Sequence, residues 1–257
     1  MKIAVVVRQV PDLIEPLELA DSGNELDWEG VALVVNESDE HALEQAVLLK
    51  EKAGAEVTVV ALDFGEIDNV LFTAAARGAD RLIKIPLDED RPPAEQATAA
   101  MLAEVVGGLS ADLILIGCQA HDELQGNLAV RLAHTLGAPY VGVIRGVQKT
   151  DDPAVVRVFK EFPGAAMEQL TVRLPAVVGI LAAEQPPRYV PVSRIRGAMK
   201  STQLDEQEVD QPSTPAPLDV VRLSPPAAAQ HAEMLQGDED AVAGQLLEIL
   251  QSKGFVK

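Results

Sequence analysis

The chain has 257 residues, is 47% hydrophobic but only 3% aromatic, and carries a formal charge of −19 from 21 Lys and Arg against 40 Asp and Glu. That charge argues against non-specific nucleic-acid binding and against an anionic membrane surface, and it suits solubility or a partner with a basic patch. A core of Ala, Val, Leu and Ile favours helices and parallel strands over an aromatic-rich β-sandwich, and the single cysteine, Cys118, excludes an internal disulfide and a CxxC site.

In chain order, residues 3–7 read as a buried strand starting almost at the first residue. The opening apolar run is too short for a signal sequence and no run approaches the ~18 residues of a membrane span, so a cytoplasmic protein is expected. Residues 15–29, acid-rich with Gly23 and Trp28, read as an excursion, and 31–35 as a short strand. Asn36-Glu37-Ser38-Asp39-Glu40 is a helix start, with Asn36 or Ser38 able to cap and acids in the first turn; that helix runs to about Ala53 and stops at Gly54. Strand 57–62, helix 67–77, strand 81–85, a charged loop 88–93 and an Ala-rich helix 94–106 follow. Strand 112–116 leads through Gly117 and a polar loop into helix 128–136, which Gly137 and Pro139 end. Strands alternating with helices imply right-handed βαβ units and a doubly wound, mostly parallel α/β sheet.

The pattern changes after Pro139. Residues 140–147, 154–159, 168–174 and 176–181 are strand-like with short turns, which reads as antiparallel strands added to the parallel sheet. Pro186-Pro187 ends the expected globular part, giving an α/β domain at 1–189 and an appendage at 190–257. Residues 190–230, rich in Pro, Ser, Gln and Asp, show no sustained period. Asp238 opens a last helix whose stripe is Val242, Leu246, Leu247 and Leu250. That stripe buries either on its own domain or as an arm over a partner subunit.

The segment from Asp112 to Asn127 is the expected working centre. A strand, a glycine turn and a helix start present free backbone N–H groups at the carboxyl end of a sheet, where an anion such as phosphate is favoured. Every βα unit has such a loop, and Asp122 or Glu123 serves equally as a helix cap. The loop matches neither GxGxxG nor GxxxxGK[ST], and its two acids repel a phosphate. Backbone N–H groups and the amides of Gln119, Gln125 or Asn127 would then have to hold one.

Several segments, in consistent order over about residues 1–200, resemble the β subunit of electron-transfer flavoproteins. Val5-Val6-Val7-Arg8-Gln9-Val10-Pro11-Asp12 is similar to the family's opening strand followed by a basic residue and an Asp. Asn36 with Asp39-Glu40 resembles its Asn-Pro-x-Asp-Glu helix start, and Ala75-Ala76-Arg77-Gly78-Ala79-Asp80 its Ala-x-Gly-Ala-Asp segment. Gly117-Cys118-Gln119-Ala120-x-Asp122 resembles its adenine-nucleotide loop. Leu174-Pro175-Ala176-Val177 and Pro187-Arg188-Tyr189 resemble its later signatures.

The resemblance implies a doubly wound sheet of the adenine-nucleotide hydrolase-like type, and the stripe of the last helix adds a candidate C-terminal arm. It implies AMP bound without chemistry in this chain, and a heterodimer with an α subunit that holds the redox FAD. The chain would be no enzyme itself but would pass electrons from a dehydrogenase to a quinone oxidoreductase. The matching nucleotide positions are Val6, Asn36, Glu37, Ser38, Asp39 and Leu62, then Gly117, Cys118, Gln119, Ala120, His121, Asp122, Glu123, Leu124, Gln125, Gly126, Asn127 and Leu128. The partner-recognition positions are Val192, Arg194, Ile195 and Arg196.

Three departures qualify the resemblance. Leu128 stands where many AMP-binding members have a phosphate-contacting Thr. The Thr-Ala-Asp-Gly-Gly-Thr-type loop of bifurcating members, which hold a second FAD, is absent too. Val192 replaces an exposed anchor Leu, a loss of about one methylene or roughly 0.8 kcal/mol of burial, which points either to a different dehydrogenase partner or to local packing of Val192. Alternatives are a second FAD for electron bifurcation, a stand-alone adenylating enzyme, for which no Ser-Gly-Gly-x-x-Ser loop is found, and a homodimeric nucleotide sensor.

Other candidate chemistry is sparse. His41, His121, His134 and His231 lack metal-ligand spacing, so no metal site is expected. His121 either touches the nucleotide or faces solvent. Cys118 reads as a small buried hydrophobe with no basic partner. Arg188, Arg194 and Arg196 form a basic cluster, open to a solvated-loop reading or to docking of an acidic partner or flavin phosphates.

Overall fold

The computed structural model describes all residues except 66, 88–90, 124, 213–219, 227–231, 233 and 257. Leu124, His231 and part of the charged loop therefore lie outside the described residues. The described residues fall into two compact units, Met1–Val221 and Arg222–Lys257.

The first unit begins with β1 (Lys2–Val6), β2 (Gln9–Pro11) and β3 (Leu33–Val35). It continues through α1 (Glu37–Ala53), β4 (Glu56–Asp63), α2 (Ile67–Arg77), β5 (Arg81–Pro86), α3 (Glu95–Gly108), β6 (Leu113–Gly117) and α4 (Leu128–Leu136). Then come β7 (Tyr140–Lys149), β8 (Val155–Phe162), β9 (Ala166–Arg173), β10 (Ala176–Ala182), α5 (Val192–Ser201) and β11 (Leu204–Glu206). The second unit carries α6 (Glu239–Ser252).

Among the described residues the main sheet has nine strands in the order β11-β5-β4-β1-β6-β10-β7-β8-β9. Every pairing from β11 to β7 is parallel, whereas β7–β8 and β8–β9 are antiparallel. The strand side chains alternate between two cores. Ile3, Val5, Val57 and Val59 pack in the same cluster as residues of α1 and α2. Ala4, Val6, Val60, Ile114 and Ile116 pack with residues of α3 and α4. Helices on both faces of a parallel sheet explain why β1 and β6 read as unbroken apolar runs.

The expected doubly wound sheet is present, with one correction at its centre. Residues 176–181, read as one of the added antiparallel strands, belong to β10, which lies parallel between β6 and β7. Its first five residues are all buried, as a strand covered on both faces requires. Only β8 and β9 are antiparallel additions, and β9 is largely exposed.

A second correction concerns the segment after Pro187, read as having no sustained period. Residues Val192–Ser201 form α5, and Leu204–Glu206 add a parallel edge strand beside β5. The helix holds because Val190 and Ala198 bury against Ala76 of α2, with Ile195 packed beside them. Of these contacts Ile195 and Ala198 lie on α5 itself, and a helix of ten residues is too short to be marked by its own periodicity.

At α6, Asp238 caps as expected, its side chain accepting from Ala241 N at 3.0 Å. Leu246, Leu247 and Leu250 are exposed. No described helix is long and apolar enough to cross a membrane.

Candidate functional site

The strand order reverses at β1, with β4 on one side and β6 on the other. The carboxyl ends of strands on either side of such a reversal diverge and leave a crevice. A cleft of about 290 Å³ opens there, lined by the residues that follow β1, the end of β4 and the β6–α4 loop. Its apolar wall includes Val7, Leu62, Phe64, Pro93 and Leu128, and its polar wall Arg8, Gln9, Glu95, Thr98, Asp122, Glu123 and Gln125.

Beneath the loop lies a buried ion pair. Arg8 Nε donates to Asp39 Oδ2 at 2.8 Å and Nη2 to Oδ1 at 2.9 Å, a two-pronged contact. Asp39 is fully buried and also accepts from the backbone of Arg8 at 3.0 Å and of Gly117 at 2.6 Å. Arg8 Nη2 reaches the Gly117 carbonyl at 3.0 Å, and Nη1 donates to Glu123. The guanidinium thus ties the segment after β1, the first turn of α1, and the start and middle of the loop together. Burial works against its charge, but the carboxylates of Asp39 and Glu123 outweigh burial and hold it above the usual arginine range.

This network alters two expected caps. Asn36 precedes α1 but makes no side-chain cap; its Nδ2 donates to the Gln119 carbonyl at 3.1 Å. Glu123 does not cap α4 either. Its Oε2 accepts from Ala120 N at 3.2 Å while Oε1 faces Arg8. Burial still raises the Glu123 carboxyl, with Arg8 opposing. Asn127 precedes α4 without a side-chain cap bond, and the first turn contains no acid. Among the described residues no side chain caps the first N–H groups of α4, the place where a helix favours an anion.

The loop residues divide by position. Leu62, Asp122, Glu123, Gln125 and Leu128 line the cleft. Val6, Asn36, Asp39, Gly117 and Ala120 are buried around it, with Ser38 and Cys118 half-buried. Glu37, Gln119 and His121 are exposed, although His121 Nε2 lies 2.9 Å from the Pro11 carbonyl. Gly117 is compact for a reason: a Cβ there would lie 2.5 Å from Asp39 Oδ1 and 2.7 Å from Ser38 Cβ. Gly126 sits at φ +61°, against the Gln119 side chain. Burial raises the Cys118 thiol, and a hydrogen bond with Ser38 opposes it.

Arg8, Gln9, Phe64 and the 92–95 segment line the cleft but were not among the expected nucleotide positions. The signals available for Arg8 were its place as the first charge after a buried strand and its match to the basic residue of the family's opening segment. Arg188 is claimed internally rather than presented to a partner. It makes bonds of 2.8–3.1 Å to Glu44 and a contact of 2.6 Å to Glu51. Val192, Arg194 and Arg196 are exposed on α5, and Ile195 packs against α2.

The cleft fits a small nucleotide. Its volume lies at the low end for ligand sites, its apolar wall suits a flat base, and the open α4 start suits one phosphate group. Two of the three acids that line the cleft are partly neutralised, and Asp122 is not among them. Glu123 pairs with Arg8, and Glu95 lies 3.7 Å from Arg131. Among the described residues no group of three or more His, Cys, Asp or Glu could hold a metal ion.

A sequence profile for the electron transfer flavoprotein domain matches residues 26–213, more than half of the chain. The chain is 36% identical to the electron transfer flavoprotein subunit beta of Syntrophomonas wolfei, over 78% of this chain and 77% of that one. It is 27% identical to the subunit of the same name from Bacillus subtilis, and 28% identical to the caffeyl-CoA reductase-Etf complex subunit CarD of Acetobacterium woodii, each over the full length of both chains. With this match joined to a mostly parallel α/β sheet, the chain belongs to the electron transfer flavoprotein family, as a divergent beta subunit serving electron transfer.

Proposed function

We propose that this chain binds AMP in the cleft between β1, β4 and the β6–α4 loop and pairs with an FAD-bearing alpha subunit. The observation that carries the reading is the open start of α4 beside an apolar slot at the sheet's reversal point. In it the base lies along Val7, Leu62 and Phe64. The phosphate meets the backbone at Gly126, Asn127 and Leu128, so the missing Thr hydroxyl at position 128 is replaced by N–H donors. The nucleotide is structural and organises the loop.

On the alpha subunit, FAD supplies the redox chemistry. The complex takes electrons from a dehydrogenase and delivers them to a quinone oxidoreductase, and the chain itself turns over no substrate. The dehydrogenase docks on the exposed side of α5, at Val192, Arg194 and Arg196. Val192 is 58% exposed there, as an anchor would be, and its smaller size suits a donor other than one built for Leu. The exposed stripe of α6 belongs against the alpha subunit.

The test is mass spectrometry of the nucleotides released on denaturing the complex. One AMP and one FAD per complex is the expected result. Two FAD and no AMP would instead make the cleft a second redox flavin site. Release of no nucleotide beyond the partner's FAD would overturn the AMP reading.

A further inference from the structure

Residues 12–30, the excursion between β2 and β3, carry seven Asp and Glu and no Lys or Arg. Backbone bonds give the excursion a defined shape. Asp12 N donates to the Ala32 carbonyl at 2.8 Å. Leu19 and Leu26 form an antiparallel bridge, flanked by Ala20 N donating to the Glu25 carbonyl at 3.1 Å and Asp27 N to the Glu18 carbonyl at 3.0 Å. Trp28 anchors the return, edge-on to Phe64 with ring centroids 6.4 Å apart.

At the start of this excursion two large apolar side chains stand in solvent. Leu13 is 64% exposed and Ile14 90%. Ile14 N donates to Asp12 Oδ1 at 2.9 Å, which fixes the backbone beneath the bare side chain. Glu15, Glu18, Asp21 and Glu29 are exposed on the same excursion. Among the described residues Arg91 meets Glu25 at 3.2 Å, and no cation pairs with Glu15, Glu18 or Asp21. Adjacent apolar side chains on a fixed turn, rimmed by uncompensated charge, differ from single apolar residues scattered over a surface and mark a place of interaction.

The charge says which kind of partner fits. Helix α5 carries exposed Arg194, Arg196 and Lys200 and no acid between Val192 and Ser201. A partner that fits α5 presents carboxylates, and the excursion repels it. The excursion therefore takes a different partner, one with Lys or Arg around an apolar socket. A partner met only in passing would leave Ile14 in water most of the time, whereas permanent interfaces are the more apolar ones and keep such side chains covered.

We propose that the acidic excursion, with Leu13 and Ile14 as its apolar anchor, docks on a basic patch of the alpha subunit; this rests on the heterodimer reading above. The carboxylates steer the encounter and fix its orientation, and Ile14 holds the complex once formed.

The full chain and two variants are mixed with the FAD-bearing alpha subunit, and association is followed by stopped flow and calorimetry at low and physiological salt. Ile14→Ser removes the anchor, and Glu15→Gln with Glu18→Gln removes two charges. All three positions are exposed, so unfolding of the chain alone is expected to match the parent's. Ile14→Ser is expected to weaken affinity about tenfold, through faster dissociation. The double Gln variant is expected to associate about threefold more slowly at low salt and to respond less to added salt. Parental affinity in Ile14→Ser overturns the proposal, and so does a double Gln variant that keeps the parent's rate and salt response. A parent chain that binds the alpha subunit faster as salt is added also overturns it, because the facing patch would then be acidic. If the parent chain does not bind the alpha subunit at all, the heterodimer reading itself fails.

Discussion

Arg8 and Asp39, 31 residues apart in sequence, meet edge to edge in a buried two-pronged ion pair that fixes the floor of the candidate nucleotide loop. The setting decides what the pair does. Arg81 and Asp205 are also in contact, but at 44% and 31% side-chain exposure water screens them, and such pairs stabilise by about 0–1 kcal/mol. Asp39 has no access to water, so removing its partner strands a charge. Arg8→Met is expected to destabilise the chain by about 3–5 kcal/mol. Adding Asp39→Asn is expected to cost less than the sum of the two single changes. Urea unfolding of the three variants measures both; a loss below about 1 kcal/mol for Arg8→Met would show the pair to be dispensable.

Gly117→Ala tests the close approach of the loop to α1. The new methyl group meets Asp39 Oδ1 and Ser38 Cβ, both held in the first turn of α1 and unable to swing away. Overpacking of this kind costs about 1–3 kcal/mol. The thermal midpoint should fall and co-purified nucleotide should fall with it. A midpoint and nucleotide content equal to the parent's would mean that α1 yields more easily than its packing suggests.

Glu184 gives a pH prediction. Burial alone would raise its carboxyl, but hydrogen bonds from Lys52 and Gln148 outweigh burial and hold it below the ordinary glutamate value. A lowered folded-state value contributes stability above the unfolded-chain value of about 4.3, and that contribution is lost as pH falls through the folded value. Glu184→Gln should therefore be less stable than the parent at neutral pH and should lose less on acidification below about pH 4.3. Unfolding midpoints at neutral and acid pH decide it; parallel losses in both proteins would remove Glu184 from the acid response.

The stripe of α6 predicts an association effect without a folding effect. Leu247 and Leu250 are exposed in this chain, so Leu247→Asp with Leu250→Asp should leave the unfolding free energy of the chain within about 0.5 kcal/mol of the parent's. The same pair should weaken binding to the alpha subunit measured by calorimetry or co-purification. Unchanged association would leave the stripe without a role in the heterodimer.

The parallel sheet and its helices were legible because their signals are local. Runs such as Ile3-Ala4-Val5-Val6 and Leu113-Ile114-Leu115-Ile116 carry no polar residue, and Gly54 and Gly137 stop α1 and α4 in left-handed conformations. The loop after β6 was legible for the same reason, since a glycine turn between a buried strand and a helix marks the end of a sheet.

The parts that were misread depend on neighbours far along the chain. Strand β10 looks like its antiparallel predecessors until β6 and β7 take it between them. Helix α5 is short, and it is held where Ala198 packs against Ala76 of α2. Arg188 looks free until Glu44, 144 residues earlier, is folded beneath it.

The sequence by itself determined the layered α/β class, the position of the loop and the family resemblance, because periodicity and short motifs are properties of neighbouring residues. Only the tertiary structure decided how the site is held: that Asp39 and Glu123 turn to Arg8 rather than to helix ends, and that Asn36 turns to the Gln119 carbonyl. Which polar group satisfies which is settled by distances across the fold, and no local pattern encodes them.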